Sequence, residues 1–224
     1  MTEEIERLTA DVLSSRKYAQ IVPGLVQRLV EEELAKGRKT KEVVKAVRNK
    51  LHQVGGAYLS GTMDYPLWLS ELRAVQHSGE FKQVCQMVMS QHASTLERLP
   101  ILNEFYPRIF ELLPPIGSIL DVACGLNPLA LPWMPLWPEV TYYACDMYAD
   151  MINFLNPYFA RIPVDGFAEM RDVAVEGTGV LVDVGGGVSA RESGGSVEVG
   201  VGVNVTATAA TVDIGVGLKK ATTW

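Results

Sequence analysis

Small residues follow a short apolar run in Ile119-Leu120-Asp121-Val122-Ala123-Cys124-Gly125-Leu126-Asn127-Pro128. After a strand, a tight turn of small residues lets the backbone approach a nucleotide-like ligand at the carboxyl edge of a parallel sheet. It carries a single glycine where dinucleotide fingerprints carry several, so an ordinary strand-to-turn junction is an equal reading of the turn alone. Further on, Asp146 ends Tyr143-Ala144-Cys145-Asp146, where an acid can accept hydrogen bonds from both ribose hydroxyls of a nucleoside cofactor. The plainer alternative is a helix N-cap aspartate. Asp172, at the end of a third run, can receive an adenine amino group or be a simple turn carboxylate. His52 and His77 have no partner spacing, and Cys85, Cys124 and Cys145 are too few and too far apart for a disulfide framework or a CxxC site, so no metal site is expected.

The elements that must position these residues change period along the chain. Ile5, Leu8, Val12 and Leu13 share one helix face, Leu25, Leu29 and Leu34 continue after Pro23 until Gly37, and Val43, Val47, Leu51 and Val54 form a stripe from Thr40. Asp64 with Pro66 opens a helix over Leu67–Val75, which Gly79 separates from Phe81–Met89. Ser94 and Glu97 have capping-box spacing ahead of a helix through Leu99, Leu102, Phe105 and Ile109, with Pro100 in its first turns and a kink at Pro107. Ser118–Ala123 and Val140–Cys145 then read as strands, Tyr148–Phe159 as a crossover helix and Phe167–Val173 as a third strand. The fold class is therefore α/β: an all-helical extension with a linker helix over 1–113, the first part of a Rossmann-like core over 114–175, and an atypical tail over 176–224.

Charge divides the chain in the same sense. Residues 1–50 hold 11 of the 20 basic residues against eight acids, a net of +3 within a total of −6. Lys41, Lys45 and Arg48 recur on another face of the helix that carries the third apolar stripe, a basic surface suited to phosphate. The acidic start is no signal peptide and the longest apolar run, Pro128–Pro138, is broken by prolines. A cytoplasmic monomer with no membrane partner is expected.

Two blocks carry a resemblance. His92-Ala93-Ser94-Thr95-Leu96-Glu97-Arg98-Leu99-Pro100 and Asp121 to Ala130 resemble, in order and spacing, the aminoglycoside-resistance 16S rRNA (guanine-1405-N7) methyltransferases. Ser15-Arg16-Lys17-Tyr18 and Leu51-His52 followed by Gly55, Gly56, Ala57 and Tyr58 resemble the same family. The resemblance spans roughly residues 1–175. It implies an S-adenosylmethionine-dependent enzyme whose helical extension docks on 16S rRNA in the 30S subunit. By matching motif, Arg98 clasps the methionine carboxylate, Ala123 and Gly125 line the turn, Asp146 holds the ribose, and Asp172 with Val173 flanks the adenine, with Met147 also expected among the cofactor-binding residues. Arg16, Lys17, Lys41, Lys45, Arg48 and Lys50 are the expected phosphate contacts. Leu96 departs from the basic residue usual in the family. No catalytic base is expected, because guanine N7 offers a lone pair and carries no proton.

The tail departs further. The last 50 residues hold 11 of the 20 glycines and 12 valines, and Val197–Val205 and Val212–Leu218 alternate as hairpin strands would. Nothing after Ala174 matches the strands and target-base segments with which the family continues. The core is expected to be incomplete and methylation by this chain weak or absent. The alternatives are a truncated or frame-shifted inactive relative that keeps only RNA-binding helices, and a methyltransferase with another acceptor.

Overall fold

The computed structural model describes residues 2–53 and 63–172. Val173, the segment with Gly55 to Tyr58, and the two alternating runs of the tail lie outside the described residues.

Three amphipathic helices lead: α1 (Thr2–Leu13), α2 (Pro23–Ala35) and α3 (Thr40–Leu51). Their stripes meet in one cluster, with Leu8 and Val12 packed among Val26, Val30, Val43, Val47 and Leu51. Pro23 occupies the first turn of α2, where a missing N–H removes no helical bond. At the entry to α3, Glu42 accepts a hydrogen bond from Lys39 N–H at 3.1 Å, which satisfies a donor that the helix cannot.

Helices α4 (Tyr65–Ala74), α5 (Ser78–Met89), α6 (Ala93–Leu96) and α7 (Leu102–Glu111) follow. Asp64 caps α4 by accepting from Leu67 N–H at 3.1 Å. Two expectations are corrected. Gly79 lies inside the first turn of α5 rather than ahead of it. The helix expected from Ser94 through Ile109 is broken into α6, a 3₁₀ turn at Leu99–Ile101 and α7. His92 takes the cap position of α6, Ser94 Oγ is turned to His92 Nδ1 at 2.9 Å, and Pro100 lacks the N–H that a continuous ladder needs.

Three strands, β1 (Ser118–Val122), β2 (Thr141–Asp146) and β3 (Asp165–Met170), form a parallel sheet in the order β1-β2-β3. Helix α8 (Ala149–Phe159) crosses from β2 to β3. The third strand is displaced from its expected span of 167–173. It pairs from Thr141↔Asp165 to Asp146↔Met170, so it ends level with β2, and Asp172 lies beyond the strand rather than at its end. Helix α8 approaches the bare backbone of Gly166, where a Cβ would collide with the Phe159 ring. Asn156 of α8 donates to Ala168 O at 2.9 Å and accepts from Ala168 N–H at 2.8 Å, which covers part of the β3 edge.

A second apolar cluster gathers Trp68 and Leu72 of α4, Cys85 and Met89 of α5 and Tyr106 of α7 with Tyr142, Phe154 and Tyr158. Helices α4, α5 and α7, which the division at residue 113 groups with the extension, thus share their interior with the sheet. No helix among the described residues is long and apolar enough to cross a membrane.

Candidate cofactor site

The carboxyl ends of β1 and β2 are tied together by the turn that follows β1. Cys124 N–H donates to Cys145 O at 3.0 Å, and the turn needs two left-handed residues, Ala123 and Gly125, each with φ of 52°. That backbone costs an alanine roughly 1–2 kcal/mol, strain of the kind that ligand sites hold. Glycine at 125 meets a second demand as well: a Cβ would stand 2.9 Å from His92 Cε1 and Nε2. The two sequence blocks are therefore in direct contact, His92 of the first packing under Gly125 of the second.

Asp146 closes this arrangement. Its Oδ2 accepts from Gly125 N–H at 2.9 Å and its Oδ1 from Met147 N–H at 2.7 Å. Burial pushes its carboxyl up, while the N–H groups of Gly125, Met147 and Tyr148 pull it down. A carboxylate has about four lone-pair sites, so these three N–H groups leave capacity for one hydroxyl. Arg171 N–H reaches Asp146 O at 2.9 Å, holding the segment after β3 against the end of β2.

A polar chain lies at the end of β1. Tyr106 Oη donates to Asn127 Oδ1 at 2.7 Å, Asn127 Nδ2 donates to Asp121 Oδ2 at 2.9 Å, and Tyr142 Oη donates to the same oxygen at 2.5 Å. Burial pushes Asp121 up to about 6, against the pull of Tyr142, Asn127 and the Arg98 charge. Arg98 donates from Nε to Ser94 O at 2.9 Å and lies 5.9 Å from the Phe105 ring centre. Its terminal nitrogens make no hydrogen bond among the described residues, so the guanidinium fork is available for a carboxylate. Burial and then Arg98 lower His92, which favours its neutral ring.

Of the residues expected at the site, Ala123, Gly125, Asp146 and Met147 come together at the β1 and β2 ends, while the charge of Arg98 acts on Asp121 of β1 and on His92. Asp172 is buried, and Arg28 of α2 donates to both of its oxygens at 3.1 and 3.2 Å. Asp121, Asn127, Tyr106, Tyr142, His92 and Arg28 received no role from the sequence. Asp121, Asn127 and His92 stand inside the two quoted blocks, a signal that was present, whereas Tyr106 and Arg28 have no local signal.

The expected phosphate contacts divide. Arg16, Lys41 and Lys45 are exposed and make no ion pair among the described residues. Lys17 Nζ lies 2.9 Å from His52 Nδ1. Arg48 is paired with Asp11 at 3.2 Å, and Lys50 with Glu32 at 2.8 Å and the buried Glu33 at 2.9 Å. The two last residues hold helices together, which reduces their freedom to meet RNA.

The model of a family described as ribosomal RNA methyltransferase (FmrO) matches residues 14–185. The chain belongs to this family. A curated relative from Micromonospora rosea, named 16S rRNA (guanine(1405)-N(7))-methyltransferase, is 35% identical over 167 residues, 72% of this chain and 61% of the relative. A relative of the same name from Frankia casuarinae is 36% identical over 176 residues, 76% of this chain and 62% of the relative. The chain thus spans about three fifths of the length of these relatives. Among solved structures, the 16S rRNA methylase RmtB aligns with a TM-score of 0.64 at 30% identity, over 77% of this chain and 66% of that one. The 16S rRNA methyltransferase RmtF, solved in complex with S-adenosyl-L-homocysteine, aligns with a TM-score of 0.62 at 28% identity, over 79% and 65%. The fold is that of an α/β methyltransferase, with helices ahead of the parallel sheet.

Proposed function

We propose that this chain carries the S-adenosylmethionine site and the RNA-docking helices of a 16S rRNA methyltransferase, whose acceptor is N7 of guanine 1405 in the 30S subunit, as in the names of its relatives. The observation that carries the reading is the strained turn at Ala123 and Gly125, bonded to an acid at the end of the neighbouring strand. The donor set suits the cofactor: an acid at the end of β2 for a ribose hydroxyl, and a guanidinium fork with no hydrogen bond from its terminal nitrogens among the described residues for an amino-acid carboxylate. Asp146 and Met147 would hold the ribose, Arg98 the carboxylate, Ala123 and Gly125 the backbone approach, and Asp172 with Val173 the adenine.

The bound cofactor supplies an electrophilic methyl group on a sulfonium. This chain's part is to orient that group and to exclude water from it; no side chain has to move a proton, since guanine N7 attacks with a free lone pair. Reaching N7 in folded RNA takes the base out of its stack, at a cost of a few kcal/mol that phosphate contacts and stacking offset. Arg16, Lys41 and Lys45 are best placed for those contacts, with Lys17 beside them. We further propose that residues 2–51 act as the RNA-docking unit, and that the protein works as a cytoplasmic monomer.

Mass spectrometry of 16S rRNA from 30S subunits incubated with excess protein and S-adenosylmethionine tests the acceptor. Little or no methyl gain is expected from this chain, and any gain should fall at guanine 1405. A methyl gain elsewhere with none at that base would overturn the assignment.

A further inference from the structure

The polar chain at the end of β1 crosses the base of the strained turn. Asn127 opens a 3₁₀ segment over Asn127–Trp133. Its Nδ2 donates to Asp121 Oδ2 at 2.9 Å, so a single bond closes the loop of residues 122–126. Its backbone N–H donates to Cys124 O at 2.9 Å inside that loop. On the other side Asn127 Oδ1 accepts from Tyr106 Oη at 2.7 Å, while Tyr142 Oη of β2 holds Asp121 Oδ2 at 2.5 Å. Tyr106 is buried and stands on α7, the helix that follows the block carrying Arg98. The Arg98 charge acts on Tyr106 as well as on Asp121.

We propose that Asn127 is a positioning residue for the cofactor: bonded to Asp121 on one side and to Tyr106 on the other, it holds the Ala123–Gly125 turn in its left-handed form and sets the spacing between that turn and Arg98. The inference rests on the cofactor reading above. A left-handed alanine persists only where its surroundings over-determine it. A carboxamide suits the place because it donates and accepts at once. The Asp121 carboxylate takes its hydrogen, and the Tyr106 hydroxyl takes its oxygen. A turn that already has its bound form leaves less ordering for the ligand to supply.

The test is the dissociation constant of S-adenosyl-L-homocysteine, measured on the full chain alongside unfolding midpoints. The wild type should bind. Asn127→Asp keeps the size and the acceptor for Tyr106 but sets a carboxylate against Asp121, and at pH 8 it should bind about tenfold more weakly. Burial already pushes Asp121 up to about 6, and two carboxylates this close take up a shared proton at a higher pH than either would alone. That proton restores the bond across the base of the turn. The gap to wild type should therefore narrow to about threefold at pH 6.5, a recovery that lost packing would not show. Tyr142, Arg98 and Asp146 also act on Asp121 and are common to both chains. Tyr106→Phe should weaken binding about two- to fourfold at both pH values, and it carries the test alone should Asn127→Asp fail to fold. Asn103→Ala removes the 3.1 Å bond from Trp133 Nε1, which joins α7 to the same 3₁₀ segment away from the turn. It should leave affinity within about twofold even as the midpoint falls. Wild-type affinity in Asn127→Asp or Tyr106→Phe, a gap that ignores pH, or an equal loss in Asn103→Ala would overturn the role of Asn127 while leaving the cofactor reading intact. A wild-type chain that does not bind would overturn both.

Discussion

Replacing Gly125 with alanine perturbs the turn in two ways that can be measured separately. The residue stands at φ of 52°, where a Cβ costs roughly 1–2 kcal/mol. The added methyl would also lie 2.9 Å from two atoms of the His92 ring. That ring is buried, held by Ser94 Oγ at 2.9 Å, so it cannot simply swing away, and overpacking of this kind costs about 1–3 kcal/mol. Together they give a loss of about 2–5 kcal/mol from a total of about 5–15 kcal/mol. Urea unfolding reads the sum. Adding His92→Ala to Gly125→Ala isolates the steric part, which should emerge as a coupling of about 1–3 kcal/mol while the backbone part persists. A Gly125→Ala chain within about 0.5 kcal/mol of wild type, or a double variant whose costs simply add, would refute the contact between the two blocks.

The neighbouring substitution runs the other way: Ala123→Gly removes left-handed strain of roughly 1–2 kcal/mol against about 0.4–1 kcal/mol of added unfolded-state freedom, so the unfolding midpoint should hold or rise. Glu33, held by Lys36 at 2.6 Å and by Lys50 at 2.9 Å, is pulled down to about 2, chiefly by those hydrogen bonds. Its folded value lies below the ordinary 4.5, so its contribution is present above that pH and lost as pH falls towards 2. Glu33→Gln should be less stable than wild type at neutral pH, with a gap that closes in acid. Charge reversal of Lys41 and Lys45 should weaken 30S binding and flatten its salt dependence, the slope falling by about 0.7–0.9 for each phosphate no longer neutralised. Arg48→Glu, which breaks the pair with Asp11, should act mainly on stability.

Much of the scaffold was legible because its signals are local. The stripes of α1, α2 and α3, the small-residue turn at Ala123–Gly125 and the acid ending β2 can be read from periodicity and residue type. The break between α6 and α7 was not, since His92 caps where Ser94 has the better spacing. The start of β3 was not either: Asp165 and Gly166 are poor strand formers, and pairing with Thr141 and Tyr142 overrides their preference. At the site, the chain from Tyr106 through Asn127 to Asp121 and Tyr142 joins residues far apart in sequence. The Arg28–Asp172 pair spans 144 positions, a separation at which no pattern in one sequence carries a signal.

Cofactor binding at the β1 and β2 ends is the central claim, and titration calorimetry with S-adenosyl-L-homocysteine tests it most directly. The expected result is saturable single-site heat. Asp146→Ala, which removes a ribose hydrogen bond worth about 0.5–1.5 kcal/mol, should weaken the binding roughly two- to twelvefold. Absence of heat from the wild-type chain, together with no competition against S-adenosylmethionine, would contradict it.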